Sequence, residues 1–175
     1  MANRVSYSEE IKATPEQVWA VLTDVTRMPE WAFTEGRYPY PVEGRYGSEQ
    51  REGPGTLWVG VSADGQTATQ KITLWEPPYK LTYELQQMEN ASLQMAQTNM
   101  FELEPSNAGT RVVWTVDWKL IGGWSLNAIL IRLTGNGVFE EMIAGSLENL
   151  KRVVEGEAKT REARPSEAGK LKRKA

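Results

Sequence analysis

Phe139, Ile143, Leu147, Leu150 and Val154 recur at steps of four, four, three and four. Met142, Ser146 and Val153 fall on the same side, whereas Glu140, Glu141, Glu148, Lys151 and Arg152 fall elsewhere. This apolar stripe has the helical period of about 3.6 residues and predicts a long amphipathic helix over 138–155. Asn136 and Gly137 supply a cap and break before it, and Gly156 ends it. Nearly everything between residues 5 and 120 reads instead as strand and turn. One long amphipathic helix after a run of strands buries its stripe most economically across the concave face of a curved antiparallel sheet.

The strands are legible from alternation and punctuation. Residues 4–12 place Val5, Tyr7, Glu9 and Ile11 on one face. Thr14-Pro-Glu-Gln17 is a capping box with proline at the first helical position, and a helix continues through Trp19 to Val25. A second short helical turn is expected near Pro29. Tyr38-Pro-Tyr-Pro41 is a loop, residues 42–48 and 56–62 are short strands, and Gly53-Pro-Gly55 and Asp64-Gly65 are turns. Pro77-Pro78 separates a strand over 67–76 from one over 80–86, where Leu81, Tyr83 and Leu85 share a face. Residues 93–104 align Leu93, Met95, Gln97, Asn99, Phe101 and Leu103, and residues 110–120 align Val112, Trp114, Val116 and Trp118. Ser125 can cap a helical segment over 126–134, joined to the long helix through a break at Gly135-Asn136-Gly137. The class is α+β, with a domain over 1–155 and a charged tail over 156–175 read as disordered.

Composition narrows the chemistry. At 175 residues the chain suffices for one domain with a core of its own. It contains no cysteine and no histidine, which removes disulfides, thiolate nucleophiles, zinc ribbons, the commonest general base and the commonest metal ligand. A metal site built only from carboxylates such as Glu140 and Glu141 is not expected, nor is a cofactor. The first residues lack the apolar core of a signal peptide, and the apolar window over 126–133, interrupted by Asn127 and Arg132, is too short to span a bilayer. A cytoplasmic protein without stable membrane insertion is expected. From Gly156 onward seven Lys or Arg stand against three Glu, so the remainder carries −7 of a net charge of −3. An acidic body argues against nucleic acid as the partner.

The order of elements and their punctuation resemble the START-like, or helix-grip, superfamily, in particular its polyketide cyclase/dehydrase branch. The matching stretches are Ala13-Thr-Pro-Glu-Gln-Val-Trp19, the run from Asp24 through Trp31, Gly53-Pro-Gly-Thr56, Ile72-Thr-Leu-Trp-Glu-Pro-Pro-Tyr-Lys-Leu-Thr-Tyr83 and Gly109-Thr-Arg-Val112. The resemblance implies a seven-stranded curved sheet gripping the C-terminal helix, two short helices after the first strand, and a cavity for an apolar or amphipathic molecule. It leaves open lipid carriage, hormone sensing, polyketide cyclisation and chaperone activation.

Residues projected into the sheet–helix space are Tyr83, Met95, Gln97, Asn99, Trp114 and Trp118 from strands and Leu130, Met142, Ser146 and Leu150 from the helical side. Aromatic walls with a few amides and hydroxyls are typical of small-molecule pockets, although each aromatic also suits a filled core. Two buried amides at Gln97 and Asn99 need partners in water, each other or a ligand, unless a bulge turns both outward. Glu9 raises the same question. For proton transfer without His or Cys the candidates are Tyr83, Arg45 and Glu102, none in a pair or triad of telling spacing. Carriage or sensing of a hydrophobic molecule is the leading expectation, a cyclase-type enzyme the second, and a protein-interaction module the third.

Overall fold

The computed structural model describes residues 3–32, 41–91, 93–122 and 126–163. In chain order these form β1 (Asn3–Ile11), α1 (Pro15–Leu22), a 3-10 turn (Val25–Arg27), α2 (Met28–Trp31), β2 (Pro41–Tyr46), β3 (Leu57–Ser62), β4 (Thr67–Glu76), β5 (Lys80–Glu89), β6 (Gln94–Ser106), β7 (Gly109–Ile121) and α3 (Leu126–Ala163). The strands make one antiparallel sheet of seven in the order β1-β7-β6-β5-β4-β3-β2. Strands β2 to β7 meander, and β1 closes beside β7 after the helical segment carries the chain across the sheet.

Local chemistry explains the helix starts. Thr14 Oγ1 accepts from Gln17 N at 3.4 Å while Gln17 Oε1 accepts from Thr14 N at 2.9 Å, the reciprocal capping box expected at α1. Asp24 Oδ1 accepts from Thr26 N at 3.0 Å and opens the 3-10 turn. That turn presses on β2 so closely that a Cβ on Gly44 would lie 1.8 Å from the Val25 carbonyl oxygen. Only glycine admits this approach.

Strand β7 buries Val112, Trp114, Val116, Trp118 and Leu120 on one face, a clean two-residue period. Helix α3 lies mainly against β1, and then against α2, α1 and β7, burying Phe139, Ile143, Leu147, Leu150 and Val154. Lys151 Nζ meets Glu9 Oε1 at 2.6 Å, Lys12 N donates to Glu155 Oε1 at 3.0 Å, and Arg27 meets Glu157 at 2.6 Å. The half-buried Glu9 is thus held by the helix that crosses it.

The helix differs from expectation in three ways. It is continuous from Leu126 to Ala163, with no break at Gly135-Asn136-Gly137. It also runs through Gly156, because Glu157 beyond it is anchored to Arg27. The residues of the expected tail from 164 onward, Tyr38, Pro39 and Tyr40 of the expected loop, and the proposed cap Ser125 lie outside the described residues, while Pro41 begins β2. Finally, Leu130 is 58% exposed rather than inward. In an unbroken helix at about 100° per residue, a position nine before the buried Phe139 is half a turn out of phase.

The Gly-Asn-Gly triplet has a packing role instead. A Cβ on Gly135 would come within 2.3 Å of the Trp118 ring, whereas one on Gly137 would meet nothing within 4 Å. Trp118 Nε1 donates to Asn136 Oδ1 at 3.1 Å, and its ring lies 5.0 Å from that of Phe139. The glycine is a seat for the indole, and the asparagine satisfies its N–H.

Candidate ligand-binding site

The inward face of β3 to β7 carries a continuous row of rings. Trp58 and Tyr83 have centroids 5.5 Å apart, Tyr83 stacks on Phe101 at 6.1 Å, and Phe101 stacks on Trp114 at 4.6 Å. Trp31 of α2 stands edge-on to Phe101 at 6.3 Å and to Trp114 at 6.1 Å. Cross-strand register produces the row: Tyr83 faces Asn99, and Phe101 faces Leu81 on one side and Trp114 on the other.

Gln97 and Asn99 both face inward. The β6–β7 register runs from Gln94 opposite Ile121 to Ser106 opposite Gly109 without a shift, so no bulge turns them out. The bulges of the sheet fall in β2–β3 and β4–β5 instead. Part of the partner question is answered within the protein, since Trp114 Nε1 donates to Asn99 Oδ1 at 3.1 Å and Gln97 Nε2 donates to the same oxygen at 3.2 Å. Asn99 Nδ2, Ser146 Oγ, Trp31 Nε1, Trp58 Nε1 and Gln70 Oε1 are buried with no partner among the described residues. Burial pushes the Tyr83 phenol well above the ordinary tyrosine range, and its hydroxyl has no hydrogen-bond partner among the described residues.

Of the residues projected from sequence, Tyr83, Asn99, Trp114, Trp118, Ser146 and Leu150 are buried. Gln97 is half-buried, and Met95 and Met142 are partly buried against the core. Tyr83, Gln97, Asn99 and Trp114 are brought together, while Trp118 and Leu150 belong to the helix contact and Leu130 is exposed. Arg45 and Glu102 do not approach the interior. Both are exposed, Arg45 pairing with Glu43 at 3.3 Å and Glu102 with Lys80 at 3.6 Å.

Trp31, Trp58 and Gln70 were not projected into the interior from sequence. Trp31 stands on a four-residue helix too short to display a period. Gly60 blurs the alternation of β3, and a register shift beside Gln70 changes the parity of β4. A concavity of about 510 Å³, lined by none of the ring row, opens between α1, the β2–β3 connection and the end of β4. Trp19, Trp75, Tyr46 and Arg51 line it, with the Arg51 guanidinium 4.3 Å from the Tyr46 ring centre. Among the described residues no group of three or more acidic side chains is placed to hold a metal ion, and no helix is long and apolar enough to cross a membrane.

With this geometry established, comparison with known proteins is informative. The model of the family described as polyketide cyclase/dehydrase and lipid transport matches residues 2–155. The chain belongs to this family. Its helix-grip fold recurs in the Zhui aromatase/cyclase of a Streptomyces species, at TM-score 0.70 and 17% identity, covering 95% of this chain and 99% of that one. A Nitrosomonas europaea protein is similar at TM-score 0.66 and 15% identity, covering 89% of this chain and 96% of that one. A Mesorhizobium loti protein is similar at TM-score 0.64 and 16% identity, covering 87% and 96% respectively. At such identities the likeness is one of fold alone. The search of curated proteins finds no match. Family membership and fold together make this a hydrophobic-ligand scaffold, common to carriers and to enzymes.

Proposed function

We infer that the protein binds an apolar or aromatic small molecule between the inner face of the sheet and α3, as a carrier or sensor. The observation that supports this is the set of buried polar atoms without partners among the described residues, Asn99 Nδ2 beside the ring row and Ser146 Oγ on α3 foremost. Each such atom left bare costs about 1–3 kcal/mol, against a total stability of about 5–15 kcal/mol for an ordinary domain. A filling molecule with polar atoms on an apolar frame relieves that cost one contact at a time. Binding energy comes from buried apolar area, and the amides and hydroxyl fix orientation.

Native mass spectrometry of the purified protein tests this. An adduct of small-molecule mass is expected, lost on denaturation and retained less well by Asn99→Leu. A protein that carries no adduct and takes up no aromatic probe contradicts it.

One observation favours a cyclase/dehydrase-type enzyme as the second reading. Tyr83 keeps its proton in the interior and could donate a hydrogen bond to a developing enolate oxygen. Such an enzyme would convert a poly-β-keto substrate, and Tyr83→Phe would abolish turnover while sparing binding.

A further inference from the structure

Among the described residues six buried side-chain atoms lack partners, and obligate donors outnumber obligate acceptors three to one. Trp31 Nε1, Trp58 Nε1 and Asn99 Nδ2 can only donate. For Asn99 the orientation is fixed by its neighbours. The indole N–H of Trp114 cannot accept, so the Asn99 atom it meets is Oδ1, and Gln97 Nε2 donates to that same oxygen. Asn99 Nδ2 is thereby left as a donor whose direction two side chains hold. Gln70 Oε1 is the one obligate acceptor in the set, and the hydroxyls of Ser146 and Thr56 serve either way.

The inner face of the two longest strands is also uncharged. The inward positions of β6 and β7 carry no Asp, Glu, Lys or Arg. The ion pair nearest the helix, Glu9 with Lys151, is closed on itself at 2.6 Å. Burial keeps the Tyr83 phenol protonated. Moving a carboxylate or phosphate into such surroundings without a counter-charge is strongly opposed by desolvation.

We propose that the inner site selects an uncharged aromatic ligand bearing a hydrogen-bond-accepting oxygen, such as a ketone or quinone carbonyl, with Asn99 as the specificity-determining residue, and that it rejects lipids with carboxylate or phosphate headgroups. This rests on the reading that the interior takes a small molecule, and adds its polarity. Stacking on the ring row holds the planar body, and Asn99 Nδ2 donates to the oxygen. A ligand without an acceptor leaves that donor bare, and an anionic one enters with no counter-ion.

The test is equilibrium dialysis with three probes of matched shape at pH 7: 2-acetylnaphthalene, 2-isopropenylnaphthalene and 2-naphthoate. The ketone should bind about tenfold more tightly than the hydrocarbon, the factor expected for one satisfied buried donor. Naphthoate should bind more weakly than either. In the double variant Asn99→Leu with Trp114→Phe, which removes Nδ2 without freeing the indole N–H, the ratio of ketone to hydrocarbon affinity should fall to about one, with hydrocarbon binding kept. Should that variant fail to fold, the ketone-to-hydrocarbon ratio of the natural protein decides alone. Equal binding of ketone and hydrocarbon by the natural protein, or tightest binding of naphthoate, overturns the proposal while the binding reading survives. Absence of binding by all three overturns both.

Discussion

Asn99 is the residue on which the inner face turns, because its oxygen accepts from Trp114 and Gln97 at once. Replacing it by leucine strands the indole N–H of Trp114 among rings, and we expect a loss of about 1–3 kcal/mol in urea denaturation. Adding Trp114→Phe should recover part of the loss arising from the stranded donor, a non-additivity readable in a double-mutant cycle. Tyr83 gives a pH prediction of definite sign. Its folded-state pKa is raised by burial above the unfolded value of about 10. Its contribution is therefore intact below about pH 10 and lost as pH rises toward the folded-state value, because the unfolded chain ionises first. Denaturation midpoints between about pH 9 and 11 should fall for the natural protein and fall less for Tyr83→Phe. Both residues were visible in the sequence because β5 and β6 alternate cleanly. What alternation could not reveal was that Trp114 holds the amide, since its side-chain contact with Asn99 runs diagonally between the neighbouring strands β7 and β6.

Helix α3 shows how far a periodic pattern reaches. Its stripe from Phe139 to Val154 was readable because every member is buried at the helical period. Gly135-Asn136-Gly137 and Gly156 have the composition of caps, and only tertiary partners show otherwise: Trp118 seated on Gly135 and bonded to Asn136, and Arg27 bonded to Glu157. The error at Leu130 follows from the same cause, because an assumed break resets the phase that the continuous helix preserves. Two substitutions separate the glycines. Gly137→Ala meets open space and should stabilise the protein by up to about 1 kcal/mol through helix propensity. Gly135→Ala gains the same propensity but drives a methyl into the Trp118 ring, an overpacking cost of about 1–3 kcal/mol, so thermal denaturation should show a net loss. Stabilisation by both would mean that Trp118 does not seat on the helix.

For the molecule as a whole, the order of strands, the class and the grip of the helix followed from punctuation and period, whereas the site did not. Trp31, Trp58 and Gln70 join it through a short helix, a glycine-broken strand and a register shift, none of which a period records. The absence of His and Cys has a consequence for the whole fold. Apart from the α-amino group, no side chain has an ordinary pKa between about pH 5 and 8, so stability should be nearly flat from about pH 6 to 8. Below that range it should decline, because Asp117 beside Arg4 and Glu30 beside Arg27 have lowered pKa values. Their contribution is present above the unfolded values of about 4 and is lost as pH falls through the folded ones. A pH series of urea midpoints checks both limbs.

A ligand is expected on the inner face, and not in the outer cleft beside Trp19 and Trp75. Indole N–H resonances of the nitrogen-15-labelled protein, assigned by single Trp→Phe variants and followed as 2-acetylnaphthalene is added, decide between them. Shifts at Trp31, Trp58 and Trp114, with Trp19 and Trp75 unmoved, are the predicted result. Shifts confined to Trp19 and Trp75, or none at saturating probe, would contradict it.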